Sequence, residues 1–188
     1  MARWEPGSRG RLREAAFVLY AERGFENTTV AEIAARAGLT ERTFFRQFAD
    51  KREVLFAGSE ELQARLVSTV ADAPGTLGPV EAAAAGVEAL GALLPGRERA
   101  RQRQALIEAN PELQERELIK FASLSEALAA TLQERALDAH AAGLTAELGM
   151  AIFKVAYERW IDDANDRDFP ELVRESLGEL RALATSSA

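Results

Sequence analysis

The feature that most constrains the fold is a series of helix-start signals along the chain. Thr29 is followed three residues later by Glu32, the spacing of a capping box, in which a hydroxyl and a carboxylate each cover a free backbone amide. Asp50, Asn110 and Asp168 begin similar stretches. Because no segment shows the sustained apolar–polar alternation of a half-buried strand, the sequence predicts an all-α chain with about nine helices.

The expected helices divide into short N-terminal ones and longer later ones. The spans are 8–23, 29–36, 40–47, 51–71, 79–94, 97–109, 111–141, 144–164 and 169–184. Charge divides the chain in the same way. Residues 1–52 hold 10 Lys+Arg against 7 Asp+Glu (+3), and residues 53–188 hold 13 against 23 (−10), which together give the net charge of −7. This asymmetry indicates a small basic domain, 1–52, joined to an acidic body, 53–188, although so modest an excess also arises by chance.

The second and third expected helices have the spacing of a helix-turn-helix motif. The second carries the apolar residues Ile33 and Ala34, Gly38 follows it, and Thr40 is positioned to cap the third. In this motif two short helices are joined by a tight turn, often containing glycine, and the second helix enters the major groove of DNA. We therefore expect a helix-turn-helix DNA-binding domain at the N-terminus.

The third expected helix contains two adjacent phenylalanines that cannot share one face. Phe44 and Phe48 are four residues apart, so they lie on the same side, which we expect to be buried. Phe45 is rotated by about 100° toward the side that carries Arg42 and Arg46. Apolar contact with thymine methyl groups and sugar edges would explain an exposed phenylalanine there; packing against a neighbouring helix is the alternative.

The stretch of residues 9–56 resembles the DNA-binding domain of TetR-family transcriptional regulators. The positions that carry the resemblance are Ala15-Ala16, Gly24-Phe25, Thr28-Thr29-Val30, Ile33-Ala34, Ala37-Gly38, Phe44-Phe45, Phe48 and Lys51. The resemblance implies a homodimer of all-helical subunits that binds a palindromic operator in double-stranded DNA. It also implies a C-terminal body that binds a small effector and dimerises, and hence a ligand-responsive transcriptional repressor.

The same resemblance implies roles for individual residues. Thr29 would reach a phosphate, Thr40 would cap the recognition helix, and Lys51 would lie against the DNA backbone. The position of Phe45 is more often tyrosine in the family, so here the backbone contact must be apolar or absent. The complete set of expected DNA-binding residues is Thr29, Thr40, Glu41, Arg42, Thr43, Phe45, Arg46, Gln47 and Lys51.

Two late helices of the acidic body carry the expected dimer interface. The helix at 144–164 is apolar on more than one side, and the helix at 169–184 has one long apolar stripe. Such helices can pack on their own subunit and on a second copy, although completing a monomer core is the alternative. The expected interface residues are Leu148, Ile152, Val155, Leu172, Val173, Leu177 and Leu180.

The expected effector pocket rests on one arginine and three aromatic residues. The candidates are Arg103, Phe121, Phe153 and Tyr157. Aromatic residues at helical spacing are more often core, and a buried arginine needs either an internal partner such as Glu88 or Glu108, or an anionic ligand. The segment RQRQALIEANPELQEREL, residues 101–118, resembles the C-terminal domain of TetR-family regulators grouped with a mycofactocin-system regulator. That resemblance favours an acyl-type effector.

The sequence indicates neither an enzyme nor a membrane protein. Cysteine is absent, and the single histidine, His140, is accompanied by no nucleophile or metal-ligand pattern, so we expect no catalysis, metal or cofactor. No apolar run is long enough to span a bilayer, and the first residues lack the apolar middle of a signal peptide, so we expect a cytoplasmic protein. The alternative function is a small-molecule binding protein that has lost specific DNA recognition.

Overall fold

The computed structural model describes residues 7–162, 164 and 166–185. Within these residues the regular structure consists of nine α-helices and a short 3-10 helix, with no strand, which confirms the all-α prediction. The helices are α1 (Ser8–Arg23), α2 (Val30–Arg36), α3 (Glu41–Gln47), α4 (Ser59–Ala71), α5 (Pro79–Leu90), α6 (Arg97–Glu108), α7 (Pro111–Glu134), α8 (Ala139–Ile161) and α9 (Phe169–Thr185). In the described part of the chain, none of them is long and apolar enough to cross a membrane.

The helix starts follow the capping signals of the sequence. The Thr29 hydroxyl accepts a hydrogen bond from the amide of Glu32 at 3.2 Å, and the Glu32 carboxylate accepts one from the amide of Thr29 at 2.9 Å. Asp168 caps α9 by accepting a hydrogen bond from the amide of Glu171 at 2.8 Å. Each of these bonds satisfies a backbone donor that the helix itself leaves free, which is why the helices begin at these points.

The expected helix at 51–71 is wrong in its first part, because residues 51–58 form turns and α4 begins at Ser59. Val54, Leu55 and Phe56 are all at least 93% buried in one core cluster. Three consecutive side chains cannot face one core from a single α-helix, since neighbours are rotated by about 100°. The turns end at Gly58, whose φ of 100° favours glycine.

The expected helix at 111–141 is wrong at its C-terminal end, because α7 ends at Glu134 and α8 already begins at Ala139. The turn that follows α7 contains Ala136, which has the left-handed φ of 68°, and the amide of Leu137 donates to the carbonyl of Leu132 at 3.2 Å. This is the 6→1 bond of a Schellman motif. The Asp138 carboxylate then caps α8 by accepting hydrogen bonds from the amides of His140 and Ala141. The break was hidden because the left-handed residue is alanine rather than glycine.

The chain forms two compact units. The first unit contains the described residues up to Gly58 and residues 102–117, and the second contains residues 59–101 and the described residues from 118 onward. The sequence placed 102–117 in the acidic body, but Ile107 and Leu113 are buried in the core of the first unit. Arg116 also forms an ion pair with Glu53, which adds a charged contact to the apolar one.

The second unit is built on close packing of α4, α5, α8 and α9 around a core that includes Leu66, Val70 and Val87. A Cβ atom added at Gly86 would lie 2.6 Å from a methyl group of Val70, so glycine allows the backbones of α4 and α5 to approach closely. This packing gives the second unit its own hydrophobic core.

Candidate nucleic-acid interface

Helix α3 is fixed to the first unit by its inner face. Phe44 has 0% and Phe48 has 4% of its surface exposed, and their ring centroids are 5.6 Å apart. Both belong to the core cluster that also contains Tyr20 and Ile33 of α1 and α2. Phe45, by contrast, is 55% exposed, so the predicted difference between the two adjacent phenylalanines is confirmed.

The turn between α2 and α3 sets the angle at which α3 is presented. Gly38 has the left-handed φ of 65°, and the amide of Leu39 donates to the carbonyl of Ala34 at 2.9 Å. Thr40 then caps α3, since its hydroxyl accepts a hydrogen bond from the amide of Thr43 at 3.2 Å. Two short helices and a glycine turn therefore form a helix-turn-helix motif with α3 as its second helix.

We define the outer face of α3 as its side away from Phe44. Glu41, Arg42, Phe45 and Arg46 are exposed there, and Thr43 and Gln47 are partly exposed. Among the residues that the structure describes, neither Arg42 nor Arg46 has a hydrogen-bond or ion-pair partner. Their positive charge is therefore available to a partner such as phosphate or a guanine edge.

Two other arginines of the first unit, Arg36 and Arg52, are neutralised within the subunit. Arg36 pairs with Glu22 at 3.0 Å, and Arg52 pairs with Asp50 at 2.6 Å. Burial alone would raise the pKa of Asp50, but hydrogen bonds from the Arg52 side chain and from two backbone amides lower it on balance. Arg42 and Arg46 of α3 thus differ from these two arginines, because no carboxylate neutralises them in the described part of the chain.

Lys51 has a structural role that the sequence did not indicate. Its ammonium group donates to the carbonyls of Phe25 at 2.9 Å, Glu26 at 3.3 Å and Thr28 at 3.2 Å, and it lies 4.3 Å from the centre of the Phe25 ring. All three ammonium protons are therefore used inside the subunit. The carbonyl of Lys51 accepts a hydrogen bond from Tyr20 at 2.7 Å, and burial raises the pKa of that tyrosine, so it stays neutral and keeps donating.

Thr29 is also engaged within the subunit. Its hydroxyl accepts from the amide of Glu32 and lies 2.9 Å from the Glu32 carboxylate. The hydrogen bond from the backbone amide of Thr29, followed by that from its hydroxyl, lowers the pKa of Glu32. A phosphate at Thr29 would have to compete with this carboxylate.

The expected pocket residues are divided between the two units. Arg103 lies in the first, where Glu117 pairs with it at 3.1 Å and the carbonyl of Leu55 accepts a hydrogen bond from it at 3.1 Å. The sequence had considered Glu88 and Glu108 as internal partners; the partner is Glu117. The guanidinium of Arg103 thus has an acidic partner without an added anion.

The three aromatic candidates lie in the second unit as part of an aromatic cluster. Phe153 and Tyr157 are about 90% buried and stacked, with ring centroids 5.7 Å apart, and Phe121 meets Phe153 edge-on at 5.6 Å. These contacts match the core packing that the sequence analysis kept as the alternative. A separate surface depression of about 390 Å³ is lined by Leu77, Leu132 and Arg135 among other residues, and by none of the aromatic candidates.

The expected interface residues differ in how much surface they leave for a second copy. Four of them are buried within the subunit: Ile152, Leu172, Val173 and Leu177. Leu148 and Leu180 are partly exposed, and Val155 is 44% exposed. Leu144 was not among the expected interface residues, yet it is 59% exposed and lies four residues before Leu148 on the same side of α8. The i, i+4, i+7, i+11 spacing of Leu144, Leu148, Ala151 and Val155 was the available signal.

Comparison with known families identifies the chain. Residues 12–57 match the family described as bacterial regulatory proteins, tetR family, and residues 77–185, more than half of the chain, match the MftR C-terminal domain. The chain belongs to the TetR family of transcriptional regulators, with an MftR-type C-terminal domain. Both resemblances noted in the sequence are therefore confirmed.

Individual relatives of this TetR-family regulator are distant. The HTH-type transcriptional regulator TcmR of Streptomyces glaucescens is 32% identical over 75 residues, which span 40% of this chain and 33% of that protein. The chain thus matches about a third of the length of this curated relative.

Solved structures show the same fold along nearly the whole chain. A TetR-family regulator from Mesorhizobium loti is 21% identical, covers 97% of this chain and 98% of its own, and has a TM-score of 0.59. SmeT in complex with triclosan is 21% identical, with coverages of 93% and 91% and a TM-score of 0.64. FadR of Bacillus subtilis in complex with stearoyl-CoA is 20% identical, with coverages of 90% and 95% and a TM-score of 0.61.

Proposed function

We propose that this TetR-family regulator is a ligand-responsive transcriptional repressor that binds a palindromic DNA operator as a homodimer. The observation that carries the proposal is the outer face of α3. There Arg42 and Arg46, which have no partner among the described residues, flank the exposed ring of Phe45 on a chain whose net charge is −7. A positive face on an otherwise acidic protein favours contact with nucleic acid at this one helix.

The α3 residues divide into those suited to phosphate and those suited to bases. Arg42 and Arg46 can donate to phosphate oxygens or bidentately to a guanine edge, and Gln47 can pair with an adenine edge. Glu41 accepts from a cytosine amine. Lys51 and Thr29 support the motif through their internal bonds, so α3 carries most of the expected DNA contact.

The homodimer is supported by the apolar stripe on the outside of α8. Leu144, Leu148, Ala151 and Val155 have one side in common, and two of these large side chains are 59% and 44% exposed. Covering such a stripe with its own copy would remove apolar surface from water and bring two DNA-binding units into one dimer. Introducing glutamate at Leu144 or Val155 should yield a monomer by light scattering; an unchanged dimer mass would contradict this interface.

In this proposal, repression and its relief depend on the distance between the two α3 helices of the dimer. Two recognition helices separated by about 34–36 Å match half-sites one DNA turn apart. An effector that binds more tightly to a dimer with another spacing lowers operator affinity by population shift. The complexes of SmeT with triclosan and of FadR with stearoyl-CoA support an apolar or acyl-type effector for this chain as well. We place this function in the cytoplasm.

The test is a titration of the full chain against labelled DNA from the intergenic regions beside its own gene, with a scrambled duplex of equal length as control. At physiological salt the repressor should prefer one flanking duplex by about a thousandfold or more. A series of acyl-CoA thioesters of increasing chain length, up to stearoyl-CoA, then tests the effector class by release of the bound duplex.

A second function is kept because Lys51 and Thr29 are engaged within the subunit. It is a small-molecule binding protein that no longer recognises a specific DNA sequence. Equal affinity for flanking and scrambled duplexes, together with a rise in melting temperature on adding an acyl-CoA, would favour this function over repression.

A further inference from the structure

Phe45 is an apolar side chain held in an exposed position by the fold. Its ring is 55% exposed, and it meets the buried Phe44 ring edge-on, with centroids 5.5 Å apart and planes at 81°. The two rings belong to neighbouring residues of one helix, so the cap at Thr40 and the burial of Phe44 fix the direction of Phe45. More than half of the surface of this residue is therefore open to a partner.

The surroundings of Phe45 restrict the partner. Arg42 lies one helical turn before it and Arg46 directly after it; both are exposed and lack a partner in the described part of the chain. Glu41, four residues before Phe45, is also exposed, so the face carries two cations and one anion. The partner that fits it is therefore mainly anionic and presents an apolar group to the ring of Phe45. The major groove of DNA fits this description, because phosphates line it and the thymine 5-methyl group is the apolar feature of its base edges.

Because Phe45 has no hydroxyl group, its contact with DNA must be apolar. A phenylalanine ring cannot accept or donate a hydrogen bond to a phosphate, so its gain on binding is the removal of apolar surface from water. We infer that Phe45 reads the 5-methyl group of a thymine in each half of the operator. This inference rests on the proposed function, and it names the base feature that one residue of the α3 outer face selects.

The test replaces thymine by deoxyuridine, which removes the methyl group and leaves the base pairing intact. A duplex that binds tightly is first selected from a randomised pool with the full chain. Each thymine of this duplex is then replaced singly, and symmetry-related thymines in pairs. Substitution at one position per half-site should lower the affinity about fourfold, which corresponds to the burial of one methyl-sized group. Substitution of the symmetry-related pair should lower it about fifteenfold.

Two variants assign the effect to the residue. With Phe45→Ala, the thymine and deoxyuridine duplexes should bind equally, whereas with Arg42→Ala both should bind more weakly while their ratio stays at about fourfold. Thermal melts of both variants should match the wild type, since both side chains are exposed.

Three outcomes would overturn the inference. If no deoxyuridine substitution changes the affinity although the selected duplex binds specifically, the protein recognises DNA but Phe45 does not read a thymine methyl group. If the response persists in Phe45→Ala, another residue reads the methyl group. If no duplex is enriched at all, the proposed repressor function fails, and the inference fails with it.

Discussion

Arginines of α3 and of α9 are exposed in both helices but differ in their partners. On α9, Arg174 pairs with Glu88 at 2.9 Å and Arg181 pairs with Glu81, both glutamates lying on α5. On α3, Arg42 and Arg46 have no such partner among the described residues. In a chain with 30 acidic and 23 basic residues, a carboxylate is easily found. Among these four arginines, ion pairing rather than exposure therefore distinguishes those engaged within the subunit from those available to another molecule.

The largest expected effect separates the two faces of α3. Phe44→Ala should lower the free energy of unfolding by about 3–5 kcal/mol, because it leaves a cavity in the core of the first unit. Phe45→Ala should change it by at most about 0.5 kcal/mol, since the ring is mostly in water. Urea denaturation of both variants measures the difference. Equal destabilisation would show that Phe45 is part of the core.

The next effect compares the arginines directly. Arg42→Ala should weaken operator binding by about 1–3 kcal/mol and leave stability unchanged. Arg174→Ala should leave operator binding unchanged and lower stability by at most about 1 kcal/mol, the usual value of an exposed ion pair. Anisotropy titrations and thermal melts are to be run on both. If Arg174→Ala weakened operator binding as much as Arg42→Ala does, the unpaired arginines of α3 would have no special role in DNA binding.

The third prediction concerns two helix caps, one on α3 and one on α9, each of which contributes about 1 kcal/mol to stability. Thr40→Ala and Asp168→Ala each remove one capping bond, so each should lower stability by about 1 kcal/mol. Only Thr40→Ala should also weaken operator binding, because it loosens a recognition helix of seven residues. Binding of Asp168→Ala at the wild-type level is the matched control, and loss of binding in that variant would contradict the division of roles.

Substitutions at the two left-handed residues that follow α2 and α7 should change the stability by smaller amounts and in opposite directions. Gly38→Ala should destabilise by about 1 kcal/mol, because its φ of 65° strains any residue with a Cβ atom. Ala136 already carries that strain with its φ of 68°, so Ala136→Gly should stabilise by about 0.5 kcal/mol. Chemical denaturation of both checks the signs, and a loss of stability in Ala136→Gly would contradict the Schellman geometry.

The smallest effect is the pH dependence of the α2 cap. The pKa of Glu32 is lowered chiefly by the hydrogen bond from the backbone amide of Thr29. A lowered folded-state pKa means that the cap stabilises the protein above the ordinary glutamate pKa of about 4.3 and less as pH falls further. The difference in melting temperature between wild type and Glu32→Gln should therefore shrink from pH 7 to pH 3. A constant difference would show that the carboxylate charge plays no part.

The sequence predicted features that depend on residues close together in the chain. Capping at Thr29 and Asp168 requires partners three residues away, and the opposite faces of Phe44 and Phe45 follow from helical rotation alone. The start of α4 was misplaced because a cap at Asp50 is compatible with both a turn and a helix.

Interactions between distant residues could not be predicted in this way. Lys51 binds backbone carbonyls 23–26 residues earlier, a target that has no side-chain signature. Arg103 has Glu117 as its partner, 14 residues away, and residues 102–117 join the first unit through burial of Ile107 and Leu113. Such contacts depend on how the helices pack, and one sequence does not specify that packing.

The central claim, that α3 rather than α9 lies against DNA, can be tested directly because the chain has no cysteine. A single cysteine at exposed Glu41 on α3, or at exposed Gly178 on α9, can carry an iron chelate that cuts nearby DNA. Glu41→Cys should cut the operator at two places about 10 base pairs apart, whereas Gly178→Cys should leave it intact. Equal cutting by both variants, or none from α3 on bound operator, would contradict the account.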